Sequence, residues 1–155
     1  MRNIRIMSVS AHNFKGFKEL HVDFSGNNAV VLGGMNGFGK TTVFDALELL
    51  FTGTIQRMES YAPFHDQRGS LSQEALPLVY DKNYCDQVKV VSTLEVENKN
   101  ITIERYAKVD DMSNPVDFGA FSEIFAINKE HKVHRLTDKE KSFFAIDDLH
   151  DHYSF

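Results

Sequence analysis

Tryptophan is absent from the sequence, cysteine occurs once and proline three times. With Cys85 alone no internal disulfide can form, so a disulfide-stapled secreted scaffold is excluded and a reducing, cytoplasmic compartment is the expectation. Cys85 itself reads as a partly buried small residue, not a nucleophile. No apolar run is long enough to span a bilayer. The opening "MRNIRIMSVSAHNF" alternates polar and apolar residues and lacks the unbroken apolar core of a signal peptide, so neither leader nor membrane contact is expected. Positive charge is also short: 17 Lys and Arg stand against 22 Asp and Glu, a net charge of −5. That balance excludes nucleic-acid binding by bulk charge. A local basic patch, or DNA contacts made by other parts of an assembly, stay open.

What remains is an ordinary globular composition, 42% hydrophobic and 25% charged over 155 residues. It suffices for one domain, or part of a larger one, with a real core. The 13 Phe are read as core filler. An extended segment opens at Ile4, Ile6 and Val9 and ends near "HNFKGF", where Gly16 marks a turn. In "ELHVDF", Leu20, Val22 and Phe24 alternate with His21 and Asp23, the period of a half-covered strand. Ser25 to Asn28 is a tight turn, and the unbroken apolar run "AVVLG" after it predicts a strand covered on both faces. A helix is expected from about Lys40, because Val43, Leu47 and Leu50 recur at helical spacing with Phe44 and Phe51 alongside. Asp45 and Glu48 are placed on its opposite side, and Gly53 just past its end. Thr54 to Asp86 reads mostly as loop, with a short helix at "SQEAL". Val88, Val90, Leu94 and Val96 then share one face, as do Ile101, Ile103 and Ala107, and "ENKN" between them predicts an antiparallel hairpin. Asp110 to Pro115 is a polar loop, and Thr137 with Glu140 has capping-box spacing at the start of a last helix.

Between the predicted strand and helix lies Gly34-Met35-Asn36-Gly37-Phe38-Gly39-Lys40-Thr41, a match to G-x-x-x-x-G-K-[ST], the P-loop or Walker A pattern. Each position has a chemical reason. Gly34, Gly37 and Gly39 let the backbone curl so that successive N–H groups surround a phosphate. The helix that follows points its positive end at the same anion. Lys40 supplies a point charge for the outer phosphates, and Thr41 offers a hydroxyl to Mg²⁺. A chance glycine-rich turn of this form arises in roughly one chain in a few hundred at average residue usage, and the strand–loop–helix setting lowers that further. Nucleotide binding is the expectation.

The stretch "VSAHNFKGFKELHVDFSGNNAVVLGGMNGFGKTTVFDALELLFTG" resembles the amino-terminal segment of the SMC, RecF and double-strand-break-repair ATPases, the ABC-type heads of chromosome and repair proteins. "NFKGF" at Asn13 to Phe17, "NNAVVLGGMNGFGKTT" and "FDALELLFTG" carry the likeness, and the later "ITIERYAKV" is similar to the family's β-arm. The resemblance implies an α/β fold: a P-loop NTPase lobe with an antiparallel β-layer plus a β-hairpin packed on the P-loop helix. It implies that residues 1–155 are the amino-terminal lobe of an ATPase head, a fragment of a longer chain. ATP and Mg²⁺ are the implied ligands. Position by position, Lys15 would reach the nucleotide phosphates, Asn36 would lie near the γ-phosphate, Phe38 would sit within the binding loop and Thr42 would add an α-phosphate contact. The residues alone leave Lys15 equally readable as a solvated lysine at a strand end. Arg105 reads as a charge on the sheet face rather than a ligand.

The implied partners are a carboxyl-terminal ATPase lobe and a second head, as homo- or hetero-dimer, with DNA reached through the full assembly in repair, recombination or anti-phage defence. The hydrolytic equipment of such a head is missing from the sequence. No four apolar residues run into Asp-Glu; "FFAIDDL" at Phe143 to Leu149 comes nearest, and no signature or histidine switch follows. Gln56, Gln67, Gln73 and Gln87 come too early for the family's glutamine loop. No catalytic residue is assigned within the chain, and turnover is expected only with the missing lobe. Two other readings stay open: a self-contained small P-loop kinase, for which Arg57 and Arg68 are too sparse to make a lid, and a nucleotide-sensing module without turnover. His131, His134, His150 and His152 are read as solvated turns rather than a metal site, and "NKEHKVHRLTDKEK" as an exposed charged face.

Overall fold

The computed structural model describes residues 4–27, 29–35, 37, 39–59, 78–112, 118–127 and 132–143. Strands β1 (Ile4–Phe14) and β2 (Phe17–Asp23) form a hairpin, and β3 (Gln87–Val96), β4 (Lys99–Lys108), β5 (Phe125–Ile127) and β6 (Val133–Arg135) follow. They make one six-stranded sheet of order β2-β1-β3-β4-β5-β6, and the paired neighbours are antiparallel throughout. Helix α1 (Lys40–Thr52) packs across β1, β3 and β4. Short helices α2 (Gln56–Glu59) and α3 (Asp138–Phe143) and two 3₁₀ turns, Val109–Asp111 and Phe118–Phe121, complete the described elements. None of these helices is long and apolar enough to cross a membrane.

The hairpin β3–β4 shows how local sequence makes this sheet. Burial alternates along β3, with Val88, Val90, Ser92, Leu94 and Val96 turned to the core. Its turn is tighter than "ENKN" suggested: Glu97 and Asn98 alone span it, at φ 50° and 63°, while Val96 pairs with Lys99. Two residues at positive φ match the twist of the strands they join. In β1 the pairing register with β3 shifts between Ile6 and Ser8, and buried Ser92 donates its hydroxyl to the Ser8 carbonyl at 2.7 Å. The core between sheet and α1 holds Val9, Phe14, Leu49, Leu50, Ile55, Leu78 and Ile103, none more than 1% exposed.

Helix α1 runs between two glycines, as expected. Gly53 takes φ 81° and its N–H closes on the Leu49 carbonyl at 2.9 Å, the left-handed C-terminal cap. Two side-chain placements differ from the sequence reading. Asp45 is buried, while Phe44 is 48% exposed. Asp45 lies one turn from Thr42 and Leu49, both buried, so helical geometry carries it inward.

The run at Ala29–Gly33 is not a strand. Residues 29–35 pair with no strand among the described residues, and Val31 is 92% exposed. A fully covered strand needs neighbours on both sides and cover on both faces, and this sheet ends at β2 on one edge and β6 on the other. "SQEAL" and nearly all of "FFAIDDL" lie outside the described residues.

Candidate nucleotide-binding site

The glycine-rich loop ends at Gly39, where φ is 79° and the chain enters α1. A side chain is excluded there twice over. The left-handed backbone disfavours one, and a Cβ would come within 2.3 Å of the Phe17 ring. Phe17, the last residue of "NFKGF", thus presses the β1–β2 turn against the start of the helix. Gly34 and Gly37 also take positive φ, at 146° and 91°. Asn36 and Phe38 lie outside the described residues.

The first turn of α1 has no side-chain cap hydrogen bond, so the helix presents its amides and the positive end of its dipole toward the loop. The Lys40 ammonium donates to the Gly34 carbonyl at 2.5 Å and the Met35 carbonyl at 2.9 Å. Thr41 is exposed beside it, whereas Thr42 is buried, with its N–H on the Gly39 carbonyl at 2.9 Å. Lys40 and Thr41 stand at the margin of a groove of about 740 Å³, walled by Ile6, Phe24, Val30, Val31, Phe44 and Leu47. The groove is mainly apolar; Arg5, Asn27, Lys40 and Thr41 are its polar lining.

Lys15 is not a freely solvated lysine. Its ammonium pairs with the Asp45 carboxylate, and Arg57 from α2 grips the same carboxylate through Nε at 2.8 Å and through Nη2. The backbone under Lys15 is held firmly. Lys15 and Asn13 both take φ 52°, an unusual conformation for non-glycine residues. Buried Asn13 sustains it by donating to the Cys85 and Gln87 carbonyls and accepting from the Asp81 N–H at 2.9 Å. The Lys15 N–H bonds the Leu78 carbonyl at 3.0 Å. Sequence reasoning found Lys15 and missed Asp45, Arg57 and Asn13 as its supports; Asp45 one helical turn from buried neighbours was the available signal.

Arg105 is a correction of another kind. It is 7% exposed, not a charge on an open sheet face. Its guanidinium donates to the Leu50 carbonyl at 2.6 Å, the Phe121 carbonyl at 2.7 Å and, more weakly, Phe51 at 3.5 Å. Leu50 and Phe51 lie in the last turn of α1, so the cation sits at the negative pole of the helix dipole. Burial lowers Arg105 to about 10, opposed by the nearby Glu123 carboxylate, which leaves it charged at neutral pH. Among the described residues no three His, Cys, Asp or Glu converge as a metal site; His134 instead bonds Glu140 at 2.9 Å.

Comparison with known proteins agrees with the loop. The AAA_23 family model, described as an AAA domain, matches residues 8–154. The retron Ec83 probable ATPase of Escherichia coli is 24% identical over 118 residues, which cover 72% of this chain and 22% of that protein. The DNA replication and repair protein RecF of Rickettsia massiliae is 38% identical over 53 residues, 34% of this chain and 14% of that protein. A solved structure of the recombination mediator protein RecF with ATP, in the RecFOR pathway, superposes with a TM-score of 0.49 at 19% identity, covering 94% of this chain and 31% of that one. The chain therefore spans a minor part of each relative's length. Since the family model matches nearly the whole chain, the chain belongs to the AAA_23 family of AAA domains, P-loop ATPases of the RecF- and SMC-like kind.

Proposed function

We propose that residues 1–155 form the ATP-binding, amino-terminal lobe of a RecF- and SMC-like ATPase head, and that hydrolysis requires a carboxyl-terminal lobe and a second head. Lys40 carries this reading. Its ammonium rests on two carbonyl groups at the loop, beside a helix start without a side-chain cap. A cation held by carbonyl dipoles instead of a carboxylate keeps its full charge for an arriving anion. The amides of Gly34, Asn36, Gly37, Phe38 and Gly39 would surround the β-phosphate, with Lys40 bridging the outer phosphates and Thr42 contacting the α-phosphate. The exposed Thr41 hydroxyl would hold Mg²⁺, which offsets phosphate charge. Lys15 would add a second cation.

The unpaired run at residues 29–35 supports the missing-lobe reading. An apolar segment with Val31 92% exposed and no paired strand among the described residues is what stays behind when the neighbouring strands belong to another part of the protein. The setting proposed is a cytoplasmic assembly that reaches DNA in repair, recombination or anti-phage defence.

The test is ATP binding by the chain, read by calorimetry and thermal unfolding with Mg²⁺ present. Ligand at a hundredfold excess over Kd stabilises the folded state by about 2.7 kcal/mol, and Lys40→Ala is expected to abolish that shift. An unchanged shift in Lys40→Ala overturns the loop assignment. Steady turnover by this chain alone overturns the split-head reading, and phosphoryl transfer to an added acceptor would favour a kinase.

A further inference from the structure

The Asp45 cluster has an unusual stoichiometry: one carboxylate, 2% exposed, serves two cations. A buried carboxylate with a single partner resists releasing it, because the charge left behind is buried and unpaired. With two partners either can leave at far lower cost. The two are held differently. Arg57 spans both carboxylate oxygens with its planar fork, whereas Lys15 reaches Oδ2 alone. A forked guanidinium is the more firmly oriented partner, and an ammonium on a flexible stem the more easily redirected one. The root of Lys15 is pinned beside the loop by Asn13 and by the contact of Phe17 with Gly39, so a swing of its side chain alone changes its charge partner. Asp45 lies five residues along α1 from Lys40, roughly 7.5 Å at the helical rise, a distance comparable with the length of a lysine side chain.

We propose that Asp45 is a positioning residue that holds Lys15 in reserve and releases it to the phosphates of bound ATP, while Arg57 stays behind and keeps the buried carboxylate paired. This rests on the ATP-binding reading above and adds the regulation of that site. The trio carries one net positive charge; ATP draws on that excess without exposing Asp45.

The experiment is Mg-ATP affinity by calorimetry on the full chain, with unfolding midpoints recorded for every variant. Lys15→Met is expected to weaken ATP binding about tenfold and to leave the midpoint near that of the parent, because Arg57 still pairs Asp45. Arg57→Met is expected to weaken binding as much, since Lys15 is then Asp45's last cation and cannot leave. Adding Asp45→Asn to Arg57→Met removes the charge that detains Lys15 and is expected to restore affinity to within about threefold of the parent. Adding Lys15→Met to that pair should abolish the recovery. A purely structural cluster predicts no recovery, and a direct Arg57–phosphate contact predicts none either; either result overturns the proposal. So does parent affinity in Lys15→Met, which decides the matter should the double variant fail to fold. Loss of binding in Lys40→Ala beside intact binding in the parent separates failure of this hand-off from failure of the ATP reading. A parent chain that binds no ATP overturns both.

Discussion

Arg105 is the side chain on which sheet and helix are joined. Its strand alternation already carried the information: it is in phase with Ile103 and Ala107, both buried, so a charge there points into the core. What neighbouring residues could not disclose is that the α1 carbonyls of Leu50 and Phe51 wait there, more than fifty positions away in sequence. A guanidinium is tolerable inside a fold when its protons meet acceptors, and removing it orphans those acceptors in turn. Arg105→Leu is therefore expected to cost about 1–3 kcal/mol for each carbonyl left without a partner, read as a lower urea midpoint with an unchanged slope. Arg105→Lys, which keeps charge but loses the fork, should fall between. Loss of less than about 1 kcal/mol in the leucine variant would show that the carbonyls find other partners.

Among elements, α3 was the most fully legible. Thr137 and Glu140 form the reciprocal box expected from their spacing: the Thr137 N–H donates to Glu140 Oε2 at 2.9 Å, and the Glu140 N–H to Thr137 Oγ1 at 3.3 Å. The backbone hydrogen bond from Thr137, followed by the one from His134, lowers the Glu140 carboxyl to about 2 from an ordinary 4.5. A carboxyl depressed in the folded state stabilises it above the unfolded value, and that contribution fades as pH falls from 4.5 toward 2. The Glu140 side chain is 35% exposed, so solvent screens the effect and the readout is local. Amide exchange in α3 should accelerate across that window, and Thr137→Ala, which removes the hydroxyl but keeps the backbone N–H, should raise the Glu140 titration midpoint only slightly in carboxyl NMR. A midpoint returned to 4.5 by His134→Ala alone would assign the shift to His134 instead of the Thr137 N–H. Helix α1 was legible in its limits for a similar reason, since Gly39 and Gly53 mark its ends by backbone conformation alone. Its inner face was legible at Val43, Leu47 and Leu50, all buried, but not at Asp45, which was set outward by the habit that charges face water; the two cations that reverse this come from β1–β2 and α2.

At the scale of the whole molecule, the sheet leaves the apolar run at residues 29–35 without a paired strand among the described residues. Val31→Asp is expected to change the stability of this chain by no more than about 0.5 kcal/mol, as at other exposed sites, and, on the proposed split-head reading, to abolish any ATPase activity that a supplied carboxyl-terminal lobe would confer. A destabilised chain, or full activity with that lobe, would argue that residues 29–35 are covered some other way. Residue order alone was enough for the features whose causes lie within a few residues: the strand alternation of β3, the two-glycine limits of α1, the Thr137–Glu140 box and the Walker A pattern, which carries the expectation of nucleotide binding. Tertiary structure alone decided that Lys15 rests on Asp45, that Arg105 ties β4 to the end of α1, and that the apolar run before the loop pairs with no described strand. Those outcomes depend on charges and carbonyls brought together from distant parts of the chain. Periodicity reports which way a side chain faces, but not what meets it there, because the cost of burying a charge is set by partners that only the assembled sheet supplies.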